Sequence, residues 1–162
     1  NNPLNFNNLI KSLNLIADKY NYPIIFSTHP RTKNVIESSG LELNSQIKIL
    51  NPLGFFDYNF LQINSKAVLS DSGTISEESS ILKFNAINIR EAHERPEAME
   101  EGAVIMSGLN SERIIQALSL LNKNDNKLKE YVGDYSKKNV SSKVLKIIIS
   151  YVDYINRVVW GK

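Results

Sequence analysis

Four short stretches of the chain concentrate the residues with usable chemistry: Thr28-His29-Pro30, Pro52-Leu53-Gly54, Asp71-Ser72-Gly73-Thr74, and Arg90 through Arg95-Pro96. The third opens the run D-S-G-T-I-S-E-E over Asp71–Glu78, in which Gly73 allows close backbone approach and Thr74 and Glu77 stand at capping-box spacing. A helix that starts there turns its first N–H groups and the positive end of its dipole outward. With the Ser72 and Thr74 hydroxyls added, a phosphate group would fit. The same residues also suit a plain turn that caps a helix, and the motif alone leaves both readings open. Glu77 and Glu78 are adjacent, about 100° apart around a helix, so only one of them faces a given ligand. That carboxylate either accepts two hydrogen bonds from a vicinal diol or is an ordinary acidic first-turn residue.

His29 ends an apolar run and precedes a proline, so it reads as a phosphate donor or as a solvated loop residue. Arg95, in H-E-R-P, could reach back over the strand ends to hold a pyrophosphate, or could form a surface salt bridge with Glu91 or Glu94.

The elements that must position these residues follow from periodicity. Leu9, Ile10, Leu13, Ile16 and Ala17 recur at helical spacing and predict a helix over Phe6–Tyr20. Ile24-Ile25-Phe26 forms a short apolar run bounded by prolines, as a buried strand would. Similar runs return at Ile47–Leu50, Ala67–Ser70, Ala86–Ile89 and Ala103–Met106. Segments of helical length lie between them, at Thr32–Ser38, Phe55–Ser65, Ile75–Lys83 and Glu97–Glu101. Strands alternating with helices predict a Rossmann-like α/β domain, a parallel sheet with helices on both faces. Ligands then bind at the carboxyl ends of the strands, where all four stretches fall. Downstream, Ser111–Leu121 reads as a helix capped by Ser111, and Ser141–Trp160 as a long one with Val144, Ile147, Ile148, Tyr151, Val152, Ile155 and Val159 on one broad face. That face either packs on the sheet or docks on a further domain. The polar Asn122–Lys127 stretch is the one obvious linker.

With 162 residues, 42% of them apolar, one globular domain is the expected count. The formal charge of +2, with no basic cluster, argues against nucleic acid as a partner and is compatible with a small anion. Without cysteine there is no thiolate nucleophile or disulfide, and two histidines are too few for a His-only metal site. No apolar run reaches about 18 residues and no signal-peptide order opens the chain, so a cytoplasmic protein without a membrane span is expected. The chain begins at Asn1, not Met, which suggests that sequence precedes it.

In order and spacing over Phe6–Ser119, T-H-P, P-L-G-F-F-D-Y-N-F, D-S-G-T-I-S-E-E and I-R-E-A-H-E-R-P-E-A-M-E resemble the C-terminal half of the non-hydrolysing UDP-GlcNAc 2-epimerase family. The resemblance implies a GT-B fold, two Rossmann-like domains with the active site between them, of which residues 1–162 are the UDP-binding C-terminal one. It matches His29 to a histidine near the diphosphate and Phe60 to an aromatic beside the uracil. Ser72 and Gly73 match the diphosphate-binding turn, Glu78 the carboxylate on the ribose hydroxyls, and Arg95 an arginine of the nucleotide site. Thr74 departs from the second glycine that many members carry. The stretch around His93 looks like the branch acting on UDP-2-acetamido-2,6-dideoxy-L-talose, which yields UDP-N-acetyl-L-fucosamine for surface polysaccharide. The ligand so implied is UDP or a UDP-N-acetyl sugar, with no cofactor and no metal, and the full-length protein is a homodimer.

The family's H-R-E-E-N-like motif and its catalytic carboxylates do not occur here and are expected upstream of Asn1, in an N-terminal domain. The first strand of the present domain is expected there too. In the order 3-2-1-4-5-6 that strand is central, so two unpaired edges are expected unless another segment fills the gap. The chain alone is expected to be inactive; the alternative is a non-catalytic, stand-alone UDP-binding or assembly module.

Overall fold

The computed structural model describes residues 3–93, 95–123 and 132–162, so Glu94 and most of the Asn122–Lys127 stretch lie outside it. Where length predicts a single unit, the chain falls into two compact ones, Asn1–Val132 and Gly133–Lys162.

The first unit alternates helices and parallel strands: α1 (Pro3–Tyr20), β1 (Ile24–Ser27), α2 (Pro30–Ser39), β2 (Ile47–Leu50), α3 (Phe55–Asn64), β3 (Val68–Ser70), α4 (Ile75–Leu82), β4 (Ala86–Asn88), α5 (Glu97–Glu100), β5 (Val104–Met106) and α6 (Ser111–Lys123). Each predicted run forms its strand. The strands make two sheets, β1-β2 and β3-β4-β5, every pair parallel, with Ile24 opposite Ile47, Val68 opposite Ala86 and Ala86 opposite Val104. These are the neighbour pairs that the order 3-2-1-4-5-6 retains when its first strand is left out. Accordingly, among the described residues β1 and β3 each have a hydrogen-bonded neighbour on one side only, and Ile25 on β1 is 47% exposed.

Burial follows this pairing. In β4, bonded on both sides, the consecutive residues Ala86, Ile87 and Asn88 are all buried. Successive side chains in a strand point to opposite faces, so both faces of β4 are covered. Ile87 and Ile89 meet Ile114, Ala117 and Leu118 of α6 in one core cluster. Removing side chains such as Ile87 and Ile114 from water contributes roughly 2–3 kcal/mol each. Helix α1 ties the two sheets together: Leu13 and Ala17 pack with Ile47 of β2, while Ile16 and Tyr20 lie against the Ile87 cluster. It ends at Asn21, which adopts the left-handed conformation at φ 51°.

Helix α6 begins at Ser111, but its cap is Asn110, whose Oδ1 accepts from the Arg113 N–H at 3.0 Å. Ser111 is thus the first helical residue and not the cap, because the asparagine one position earlier already supplies the acceptor.

In the second unit a 3₁₀ turn (Gly133–Ser136) precedes α7 (Val140–Val158). No residue of α7 is buried, and Val144, Ile147, Ile148, Tyr151 and Val152 are each about half exposed.

Candidate functional site

The turn between β3 and α4 is held by its own hydroxyls. Ser70 Oγ accepts the Ser72 N–H at 3.0 Å, and Ser72 Oγ accepts the Thr74 N–H at 3.2 Å. Two of the amides expected to point outward are therefore already engaged. The first intrahelical bond of α4 runs from the Glu78 N–H to the Thr74 carbonyl at 2.9 Å, so the amides of Ile75, Ser76 and Glu77 precede the ladder. The positive end of the helix lies at this turn.

Thr74 and Glu77 do not form the capping box that their spacing predicts. The Thr74 side chain makes no cap bond; its hydroxyl donates to Glu78 Oε1 at 2.5 Å. Glu77 is drawn instead to Arg95, whose Nε pairs with Glu77 Oε1. A charged partner one loop away outcompetes the local backbone amide, since an ion pair is the stronger acceptor–donor match. Arg95 also donates from Nη1 to the Gly73 carbonyl at 3.0 Å. Of the two salt-bridge partners considered for it, Glu91 instead accepts the Leu109 N–H at 3.2 Å, and Glu94 lies outside the described residues.

Gly73 has an unstrained backbone, and a Cβ placed on it would lie 3.6 Å from the nearest terminal nitrogens of both Arg90 and Arg95. Two guanidinium groups thus border the face of Gly73 that lacks a side chain. Arg90 lies two residues past the end of β4 and belongs to one of the four stretches, yet its spacing does not single it out.

The two glutamates of α4 diverge as adjacent helical residues must. Glu77 serves Arg95, while Glu78 turns to α3, where Gln62 Nε2 donates to its Oε2 at 3.0 Å. Gln62 is only 3% exposed, and its Oε1 is buried with no hydrogen-bond partner. Tyr58, one helical turn before Gln62, shares this environment. Burial pushes its hydroxyl above the ordinary value of 10.0, the charges of Glu78 and Asp71 push the same way, and a hydrogen bond from the Gln62 side chain opposes them. Tyr58 and Gln62 escaped sequence reading, although their i, i+4 spacing puts them on one face of α3.

Ser72, Gly73, Glu78 and Arg95 are therefore brought together on one turn and the loop beside it. His29 and Phe60 are placed differently. His29 caps α2, its Nδ1 accepting the Arg31 N–H at 3.3 Å. An Nδ1 that accepts leaves the proton on Nε2, the atom that can donate to a phosphate. Phe60, two residues beyond Tyr58 and so about 200° around the helix, is 66% exposed. Among the described residues no cluster of three or more acidic, histidine or cysteine side chains could hold a metal.

This arrangement sits on a chain whose residues 1–149 match the family described as UDP-N-acetylglucosamine 2-epimerase. The chain belongs to that family. Among its relatives, the UDP-N-acetylglucosamine 2-epimerase of Methanocaldococcus jannaschii is 40% identical over 124 residues, 74% of this chain and 34% of the relative. The solved UDP-N-acetylglucosamine 2-epimerase from Rickettsia bellii superposes with a TM-score of 0.83 at 48% identity, covering 98% of this chain and 44% of that one. The M. jannaschii enzyme solved in complex with UDP-GlcNAc and UDP superposes with a TM-score of 0.78 at 32% identity, covering 92% and 41%. The chain thus spans about a third of the curated relative and about two fifths of the solved ones. Its α/β architecture is that of the C-terminal domain of these GT-B epimerases. A UDP-2,3-diacetamido-2,3-dideoxy-D-glucuronate 2-epimerase of Pseudomonas aeruginosa is also a relative, at 28% identity, so relatives within the family differ in their sugar.

Proposed function

We propose that this chain is the nucleotide-binding half of a UDP-N-acetylhexosamine 2-epimerase, and that it holds UDP at the β3–α4 turn. The observation that carries the reading is the convergence of Arg95, the bare face of Gly73 and the Glu78 carboxylate on one strand end. Arg95, with Arg90 across Gly73, supplies positive charge to a diphosphate, and the first turn of α4 adds backbone amides. Ser72 offers a hydroxyl to the same group by giving up its bond to Thr74 Oγ1, and His29 a ring N–H. Glu78 takes the ribose hydroxyls, and an aromatic of α3, Phe60, lies beside the uracil.

Epimerisation at carbon 2 requires the proton there to leave on one face and return on the other. In the proposed reaction a base removes that proton, its electron pair forms a double bond to carbon 1, and the carbon–oxygen bond to UDP breaks with its pair passing to the diphosphate. UDP then adds back at carbon 1 as a proton is delivered to carbon 2 from the opposite side. Positioned cations and N–H groups lower the barrier to the leaving step, and a positioned base lowers the barrier to the first. The residues of this chain fit the role of holding the leaving diphosphate. The base is assigned to a preceding domain, so the chain by itself is inactive.

The I-R-E-A-H-E-R-P stretch supports a 6-deoxy-talo substrate, hence a place in the supply of N-acetyl-L-fucosamine for surface polysaccharide in the cytoplasm, with the full-length protein a homodimer. Calorimetric titration with UDP tests the site: saturable binding that Arg95→Ala abolishes supports it. Absence of saturable heat in the low millimolar range, or indifference to Arg95→Ala, overturns it.

A further inference from the structure

Gln62 is anomalous as a core residue. It is almost fully buried on α3, yet it leaves Oε1 without a partner, and an apolar side chain of equal volume would pack there without that cost. What the amide does make is a 3.0 Å bond from Nε2 to Glu78 Oε2. On the other carboxylate oxygen, Thr74 Oγ1 donates at 2.5 Å and is itself held 2.9 Å from Ser72 Oγ. Both oxygens of Glu78 thus have one fixed donor, from two different elements. Each carboxylate oxygen has two lone-pair sites, so one site per oxygen remains for a ligand. Two remaining sites on one rigid carboxylate suit a vicinal diol, whereas an unrestrained glutamate would lose side-chain freedom on meeting it.

We propose that Gln62 and Thr74 are positioning residues for Glu78, fixing its carboxylate so that it accepts both hydroxyls of a ribose and thereby selects a ribonucleotide over its 2′-deoxy counterpart. This rests on the reading of Glu78 as the ribose carboxylate. The two donors act through Glu78 and not on the ligand, so their effect depends on the two ribose hydroxyls, and most when both are present, and not on the diphosphate.

The test is calorimetric titration of the full chain with UDP and with 2′-deoxy-UDP. The unsubstituted protein is expected to prefer UDP by about tenfold, the scale of one hydrogen bond to a charged group. Glu78→Gln should remove the preference. Gln62→Met, which keeps length without a donor, and Thr74→Val should each cut it to about threefold or less, weakening 2′-deoxy-UDP, which keeps only the 3′-hydroxyl, less than UDP. Gln62→Met added to Glu78→Gln should cost nothing more, as expected for two residues acting as a unit. Thr74 is exposed, so Thr74→Val carries the same test if Gln62→Met fails to fold. A preference that survives both substitutions, or an equal loss of both nucleotides, overturns the positioning role while leaving UDP binding intact. An unsubstituted protein that binds UDP without preferring ribose also overturns it. No UDP binding at all overturns the functional reading first and this inference with it.

Discussion

The β3-β4-β5 side of the first unit and its β1-β2 side are built alike, short parallel strands feeding helices, but they differ in what they hold at the strand ends. After β3 and β4 a chain of contacts runs from Ser72 through Thr74 and Glu78 to Gln62, and a second joins Glu77, Arg95 and the Gly73 carbonyl. After β1 there is one histidine that caps its own helix, and after β2 a Gly54 N-cap with no side-chain bond. The contrast separates groups fixed by several partners from groups fixed by one. Preorganised charge binds an anion without reorganising, so the β3-β4-β5 side should dominate affinity and His29 should adjust it.

The largest expected effect is that of Arg95→Ala. It removes positive charge from the Gly73 face and leaves Glu77 without its cation, so UDP affinity should fall by roughly 30- to 100-fold, towards the upper part of the range for hydrogen bonds to charged groups. Calorimetry reads it directly. If His29→Ala costs more than Arg95→Ala, the ranking of the two sides is wrong.

Gly73→Val comes next. A Cβ at 3.6 Å from the nearest guanidinium nitrogens is in ordinary contact, but the added methyl groups must enter the space left for a phosphate. UDP affinity is expected to drop about tenfold with the melting temperature nearly unchanged, since the backbone there is unstrained. Gly108→Ala should do the reverse. At φ +60°, with a Cβ only 2.8 Å from Glu91 Oε1, it should destabilise the fold by about 1–2 kcal/mol and leave UDP binding alone. Thermal denaturation alongside titration separates the two glycines. A fall in stability for Gly73→Val with unaltered binding would make it a turn residue only.

His29→Ala should weaken UDP binding by about threefold and, by removing the α2 cap, cost about 1 kcal/mol of stability. The smallest effect concerns Tyr58. Its raised pKa means that the folded state keeps the proton where the unfolded chain loses it, so stability should decline as pH rises above 10.0. Tyr58→Phe should flatten that decline; an unchanged alkaline slope would place the hydroxyl outside the Glu78 environment.

The strands and most helices were legible because short apolar runs and helical periodicity are local signals, and the Ser72, Gly73, Glu78 and Arg95 grouping was legible because strand ends are where a parallel sheet exposes its ligand groups. What failed were inferences that a tertiary partner could override. The Thr74–Glu77 spacing obeys a local rule, and Arg95 and Glu78 broke it by offering each residue a better match. Gln62 was invisible for a related reason: periodicity sorts polar residues outward, and only the carboxylate on the next helix explains a buried amide. Periodicity gives α7 a broad apolar face but does not say what covers it.

The division of labour proposed for this chain is tested most directly by solvent exchange at carbon 2. The 162-residue chain and the full-length protein would each be incubated in deuterated water with UDP-GlcNAc and with the 6-deoxy-talo sugar nucleotide. The expected result is deuterium at carbon 2 with the full-length protein, faster for the 6-deoxy-talo substrate, and none with this chain, because groups that hold a leaving diphosphate do not abstract a carbon-bound proton. Exchange catalysed by this chain alone would place the base within it and contradict the assignment.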